Sequence, residues 1–239
     1  MWSSKLPDWH SLSFYRSGMT ESRRHDGPSP ALLAGLSIAL LFGGLGVGIA
    51  IGGIMPLPYG PTVAVQHYVQ TQSLALHIMA VAVFGSSVLL AIYTATVSSR
   101  IRWLGVSGAG PTVALTGGTL AAGGLALTGL LGWIMSRPEI AGDTSLVRAL
   151  YLLTFLTGGP GHVVALGILI AGIAAGGLLP RVTARVGIAI ATLCEATMLV
   201  LAWTALGPVL PAARVAALAW LLVAAVRLPT RRDDPAAQS

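Results

Sequence analysis

Long apolar runs separated by short polar or proline-rich stretches make up most of this chain. A helix rises 1.5 Å per residue, so about 20 residues cross a hydrocarbon core of roughly 30 Å. By that measure Ala31 to Ile54 predicts a first crossing behind a polar tail of residues 1–30. Crossings follow at about Leu74–Val97, Thr112–Met135, Val186–Leu206 and Ala212–Leu228. The run Leu146–Gly177 is too long for one simple crossing, and Gly158-Gly159-Pro160-Gly161 interrupts it just before His162. One division starts the crossing at Gly161, ends it at Leu179, and leaves Leu146–Thr157 as a short outer-leaflet or re-entrant helix. The other keeps one tilted, kinked helix. The split division is the expectation adopted here. The predicted fold is all-α: a six-helix transmembrane bundle over 31–228 with a Gly/Pro break in the fourth crossing, and tails at 1–30 and 229–239.

Small residues and prolines refine this outline. Gly44, Gly48 and Gly52 recur every four residues, which bares one flank of the first helix for close packing on a neighbour or a second copy. Gly117, Gly118, Gly123 and Gly124 stud the third crossing. The stretch PLPYGP (Pro56 to Pro61) is expected to end the first helix. Trp103, Trp133, Tyr68 and Trp203 fall where interfacial anchors belong. Trp2, Trp9, Phe14 and Tyr15 give the N-terminal tail a means of lying on the membrane surface.

Composition confirms the class. Charged residues are 9% of the 239 and hydrophobic ones 54%, against about 25% charged in soluble domains; mean hydropathy is +0.79. The net charge of +6 sits in loops and tails, so it speaks for membrane orientation and against nucleic acid. If the six crossings alternate with the N-terminus inside, eleven of the fourteen Lys and Arg residues lie on the inner side. Only Arg137, Arg148 and Arg214 lie outside. Both termini are therefore expected in the cytoplasm of a cytoplasmic-membrane protein. The single cysteine, Cys194, rules out an intrachain disulfide and a cysteine-rich metal site.

The runs FGSSVLLAIYTATVSSRIRWLG (Phe84–Gly105), GWIMSRPE (Gly132–Glu139) and LVRALYLLTFLTGGPGHVV (Leu146–Val164) resemble a group of bacterial six-helix integral membrane proteins with no assigned activity. The resemblance implies the membrane fold and carries no mechanism. No nucleotide-binding loop, zinc-protease motif or serine-hydrolase elbow is present in the sequence.

Polar residues inside the apolar runs are the candidate chemistry. Glu195 falls near the middle of the fifth crossing, where a carboxylate must face protein or water, be paired, or be protonated. Its neighbours Ala191, Thr192 and Ala202 suit an inward face. It is either a proton- or cation-binding carboxylate or a neutral side chain bonded to another helix. In the second crossing Gln70, Ser73, His77, Ala80, Phe84, Ser87, Ala91, Thr94 and Ser98 form a polar and small stripe at helical spacing. The stripe lines a hydrophilic path or simply bonds neighbouring backbone. Under the split division His162 lies near the outer surface, level with His77. Two histidines at one depth, with His67 as a further ligand, raise a haem or copper site, although the ligand pattern is incomplete. Arg148, with Glu139 and Asp143 nearby, is expected to be solvated or paired, and His10 and His25 to be solvated. Three functional classes remain. The first is a small proton-coupled carrier with Glu195 as the protonatable group and His77, His162, Thr192 and Ser87 along the path, which would call for a homodimer. The second is a non-catalytic subunit of a larger membrane complex. The third is a haem or metal redox protein using His77 and His162. No cofactor is the expected state, and no nucleophile–base constellation points to an enzyme.

Overall fold

The computed structural model describes residues 28–229. Nine α-helices carry the described chain: α1 (Pro30–Gly52), α2 (Thr62–Thr71), α3 (Ser73–Trp103), α4 (Gly110–Met135), α5 (Pro138–Ala141), α6 (Thr144–Leu156), α7 (His162–Ala174), α8 (Arg181–Ala196) and α9 (Val209–Arg227). There are no strands among them. Six helical runs are long and apolar enough to cross a membrane: α1, α3, α4, the run Thr144–Ala174, the run Arg181–Leu201, and α9. The protein is thus an all-helical, multi-pass membrane protein. The tail aromatics Trp2, Trp9, Phe14 and Tyr15, the histidines His10 and His25, and residues 230–239 lie outside the described residues.

Chain neighbours are space neighbours. Helix α3 packs on α1 and α4, α4 on α7, α7 on α8, and α9 closes the ring against α8, α7 and α1. Each packed pair runs antiparallel along this ring, except that α7 and α9 are parallel. Leucine, isoleucine and valine side chains coat the outside: Leu32, Val81, Leu120, Leu153, Val186 and Val226 are all exposed. Such an inverted surface suits a hydrocarbon solvent. Between α3 and α4 this surface holds an apolar groove of about 310 Å³, lined by Ala80, Val81, Phe84, Gly129, Leu130 and Trp133.

Missing side chains set the helix separations. A Cβ on Gly117 would fall onto the backbone nitrogen of Leu169, and one on Gly172 onto the backbone of Ala114. Helices α4 and α7 therefore touch backbone to backbone. The α1 glycines behave as expected: Gly44, Gly48 and Gly52 seat against Ala82, Met79 and Ala75 of α3. That flank is consumed inside the molecule and is not free for a second copy. Polar pairs add to the apolar contacts. Ser37 and Ser86 exchange bonds, each hydroxyl donating to the other residue's carbonyl at 2.9 Å. Tyr93 donates to the Leu221 carbonyl at 3.1 Å, tying α3 to α9.

Several local readings change. Helix α1 ends at Gly53, with φ +75°, before the prolines are reached. Its amide bonds back to the Ile49 carbonyl, and the positive φ at Gly53, which glycine alone adopts freely, turns the chain out of the helix. The connection to the second crossing carries an unexpected helix, α2, whose Val65, Tyr68 and Val69 are buried. Tyr68 is thus a packing residue and not an interfacial anchor, whereas Trp203 and Trp133 are exposed as expected. Arg137 stacks 5.2 Å over the Trp133 ring.

The fourth crossing is not split. Helices α6 and α7 have 13 residues each, about 20 Å, too short to cross alone. The widened turn Thr157–Gly161 joins them into one kinked run, Thr144–Ala174. The bend is at Gly159, whose φ −86° and ψ −108° leave the helical region. Pro160 follows, and its missing N–H explains why the regular ladder cannot pass through. Such a widened turn absorbs one extra residue.

Candidate functional site

The site centres on that bend, because the bend is buried and polar. Gly158, Gly159 and Pro160 are buried, and His162 is 0% exposed. Helix α4 passes flush against the break where Gly124 offers no side chain: a Cβ there would lie 3.0 Å from the Thr157 carbonyl oxygen and 3.7 Å from the His162 nitrogen. Thr128, one turn further along α4, meets the Thr157 hydroxyl at 2.9 Å and donates to the Gly124 carbonyl at 2.8 Å.

His162 is held by one hydrogen bond. Its Nδ1 stands 2.9 Å from the carbonyl oxygen of Ala121 on α4. A carbonyl only accepts, so Nδ1 carries the proton, a tautomer assigned by that bond. In the neutral ring Nε2 is then a bare lone pair. That atom is buried and has no partner. Leaving such an acceptor dry costs roughly 1–3 kcal/mol.

Helix α9 presents a second unpartnered group to the same region. Leu210 packs against Gly159, with its Cδ1 3.6 Å from where a Cβ would stand. Arg214 follows Leu210 by four residues and so lies on the same face of α9. Arg214 is half-buried; its Nε is buried without a partner, and it makes no ion pair among the described residues. Arg214 is expected on the outer side, in the first turn of a crossing starting at about Ala212; α9 starts at Val209, with Pro211 in its first turn, so Arg214 lies more than one turn inside the helix. Proline near a helix start was the signal that could have found it.

Glu195 lies on α8, across α7 from α4. Its Oε1 sits over Gly167: a Cβ on that glycine would be 2.8 Å from it. The side chain is half-buried and its carboxyl makes no hydrogen bond or ion pair among the described residues. Its position needs correcting. The α-helix ends at Ala196, and a tighter 3-10 run continues to Leu201, so Glu195 lies about two turns from the end of its crossing. Thr197 contributes to the tightening by donating to the Cys194 carbonyl at 2.6 Å. Cys194 is buried beside it, its Sγ 3.9 Å from the Ala213 carbonyl oxygen.

The other candidates scatter. Thr192 is exposed on the outer face and donates to its own helix at Ile188, 3.0 Å away, so it is no part of an inward face; Ala202 is exposed as well. Ser87 is buried but donates to the Phe84 carbonyl of its own helix at 2.6 Å. Further along the stripe, Thr94 and Ser98 are buried with unpartnered hydroxyl oxygens, whereas Phe84 and Ala91 are exposed. His77 is half-buried near the start of α3, its Nδ1 3.4 Å from the Ser136 hydroxyl. His162 meets α4 at Ala121 and His77 meets its end at Ser136, fifteen residues apart, or about 22 Å. The two histidines do not share a depth, because the fourth crossing begins at Thr144 and not at Gly161. His67 is exposed on α2. No group of three His, Cys, Asp or Glu side chains arranged to hold a metal ion occurs among the described residues.

Arg148 also departs from expectation. Its Nη1 is buried without a partner, while Glu139 pairs instead with Arg137 at 3.8 Å and Asp143 caps α6 through the Ser145 and Leu146 amides. It lies in the cap formed by α2, α5 and the start of α6, where Tyr151 donates to the Pro56 carbonyl at 2.6 Å and Gln66 and Gln70 both donate to that of Ala141. Compared with models of protein families, with curated proteins and with solved structures, the chain matches none.

Proposed function

We propose that this protein is a small proton-coupled membrane carrier whose working groups surround the bend of the fourth crossing. His162 and Glu195 are the protonatable groups, and Arg214 is the fixed charge. The single observation that carries this reading is the bare Nε2 of His162, fully buried at a broken helix with no partner. Broken helices within a membrane commonly surround substrate and ion sites, and ionisable residues there default to function. Glu195 supports the reading through its unpaired carboxyl on the far side of α7. In this reading both termini face the cytoplasm of a bacterial inner membrane, as the distribution of Lys and Arg favours.

The test uses vesicles containing the purified full chain and a trapped pH dye, challenged with small solutes. A solute-dependent change of internal pH is expected, lost in Glu195→Gln and in His162→Asn. Unchanged rates in well-folded Glu195→Gln vesicles would remove that carboxylate from the mechanism. No solute response in any vesicle would remove the carrier.

A second reading, a non-catalytic subunit of a larger membrane complex, draws on α8. Its crossing is the least buried of the six, and Val182, Val186, Ile188 and Leu193 are exposed along it. Purification in mild detergent decides this: a lone monodisperse species counts against a partner complex.

A further inference from the structure

The apolar groove between α3 and α4 ends at a cation. Its floor is Ala80 and Gly129, where α3 lies directly on α4: a Cβ at Gly129 would stand 2.8 Å from the Phe84 backbone nitrogen and 2.9 Å from the Ala80 carbonyl oxygen. Val81, Phe84, Leu130 and Trp133 form its sides, all of them exposed. Trp133 stands two residues before the end of α4. Just beyond it Arg137 lays its guanidinium over the indole, 5.2 Å from the ring centroid. Stacking uses the flat face of a guanidinium and leaves its N–H edge free. Among the described residues that edge meets only Glu139, which is 3.8 Å from Nε, too far for a hydrogen bond, and exposed like Arg137 itself. From Arg137 back to Gly129 is eight residues, about 12 Å at helical rise, so the groove fits within one leaflet of a core roughly 30 Å thick.

We propose that this groove and Arg137 form a binding site for one anionic phospholipid, with an acyl chain along the groove and the phosphate on the Arg137 guanidinium. The occupant must be apolar along the groove and negatively charged at its end, which is the build of such a lipid. Arginine matches a phosphate with two parallel N–H bonds, and an indole at the headgroup level marks where that phosphate belongs. A second copy or a partner helix fits the groove less well. Stable protein interfaces take about 20–30 residues a side, and six line this groove. Close helix docking in membranes uses bare backbone, and the glycine of this groove is already covered by α3. The Glu139 carboxylate competes with the phosphate for Arg137 and so sets how strongly the site prefers an anion. The site stands apart from the bend, and its binding does not depend on the carrier reading.

The experiment places the purified full chain in phosphatidylcholine vesicles and adds phosphatidylglycerol brominated near the headgroup end of its acyl chains. Phosphatidylcholine brominated in the same place is the control. Bromine quenches tryptophan on contact, and the difference between the wild type and Trp133→Phe isolates the signal of Trp133. The anionic probe should quench that signal at a mole fraction about fivefold lower than the control, the weight of one cation beside a membrane surface. Arg137→Gln should bring the two lipids to parity without altering the control, and Glu139→Gln should widen the preference. Equal quenching by both lipids in the wild type, or a preference that survives Arg137→Gln, overturns the phosphate site. A Trp133 that neither lipid quenches is covered by protein, which overturns the assignment of the groove to lipid. If Arg137→Gln does not fold, Glu139→Gln decides alone, and an unchanged or reduced preference there overturns the proposal.

Discussion

The Nδ1 of His162 stands 2.9 Å from the carbonyl oxygen of Ala121, with the ring wholly buried. That contact spans α4 and α7 at the level of the bend and fixes which ring nitrogen is free. It also gives His162 a structural share that can be separated from its chemistry. Replacing it by alanine removes the bond and the ring, and should lower stability by roughly 1–3 kcal/mol. His162→Asn preserves a donor toward Ala121 and should recover most of that loss. Thermal unfolding in detergent compares the two. Equal losses would show that the ring's volume and not its bond holds the helices.

Gly172 and Gly123 should respond in opposite directions. A side chain at Gly172 meets the Ala114 backbone, whereas nothing lies within 4 Å of a Cβ at Gly123. Gly172→Val should cost about 1–3 kcal/mol or more through overpacking. Gly123→Ala should stabilise α4 by up to about 1 kcal/mol, the helix-propensity difference. A chemical or thermal unfolding series in one detergent reads both. Similar effects at the two positions would contradict the α4–α7 contact.

The Ser37–Ser86 pair permits a double-mutant cycle. Each hydroxyl donates to the other residue's carbonyl at 2.9 Å, and the oxygens are 3.0 Å apart. Interhelical bonds of this kind are worth about 0.6 kcal/mol on average inside membranes. Each of Ser37→Ala and Ser86→Ala should therefore cost about that much, and the two costs should nearly add, because each hydroxyl donates to a backbone carbonyl that survives replacement of the other side chain. A large coupling would mean that the contact between the two hydroxyls, and not their bonds to backbone, carries the energy.

Alkaline pH should loosen the cap at the start of α3. Burial raises the Tyr68 phenol above its ordinary value of 10.0, because the phenolate is disfavoured among Val65, Val69 and Leu76. An acid whose folded value is raised contributes stability that is fully present below its unfolded value and is lost as pH rises through the folded one. Unfolding temperatures should thus fall above about pH 10 in the wild type, and Tyr68→Phe should remove part of that slope. An unchanged slope in Tyr68→Phe would assign the alkaline loss to other groups.

Gly167 tests how Glu195 is seated. A Cβ at Gly167 would stand 2.8 Å from Glu195 Oε1, 2.9 Å from Cys194 Cβ and 3.0 Å from the Ala191 carbonyl oxygen. Gly167→Ala should push α8 from α7 and impair any flux that depends on Glu195, while Glu195→Gln should fold normally. Measured in the same vesicles, full flux in Gly167→Ala would separate the carboxylate from the α7 groove.

The sequence by itself determined that this chain lives in a membrane and crosses it six times. Run length and the absence of charge suffice for that, because only a helix satisfies its own backbone in hydrocarbon. It also marked the break at Gly158–Gly161, the packing glycines of α1 and the two interior ionisable residues, His162 and Glu195, since each is a local departure from an apolar pattern. Partners, faces and levels were decided by the tertiary structure. Thr192 and Ala191 are adjacent in sequence, yet one faces outward and the other is buried, because Thr192 satisfies its hydroxyl on the Ile188 carbonyl of its own helix and needs no partner inside the bundle. His77 and His162 looked level until the fourth crossing proved to be one kinked run, which moved His162 deeper. Arg214 looked like a residue at the outer end of a crossing that begins at Ala212, whereas α9 begins at Val209 with Pro211 in its first turn, a start that hydropathy alone does not mark. Bare lone pairs and unanswered donors are properties of neighbours in space, so only the assembled bundle could expose the unpartnered Nε2 of His162 and Nε of Arg214.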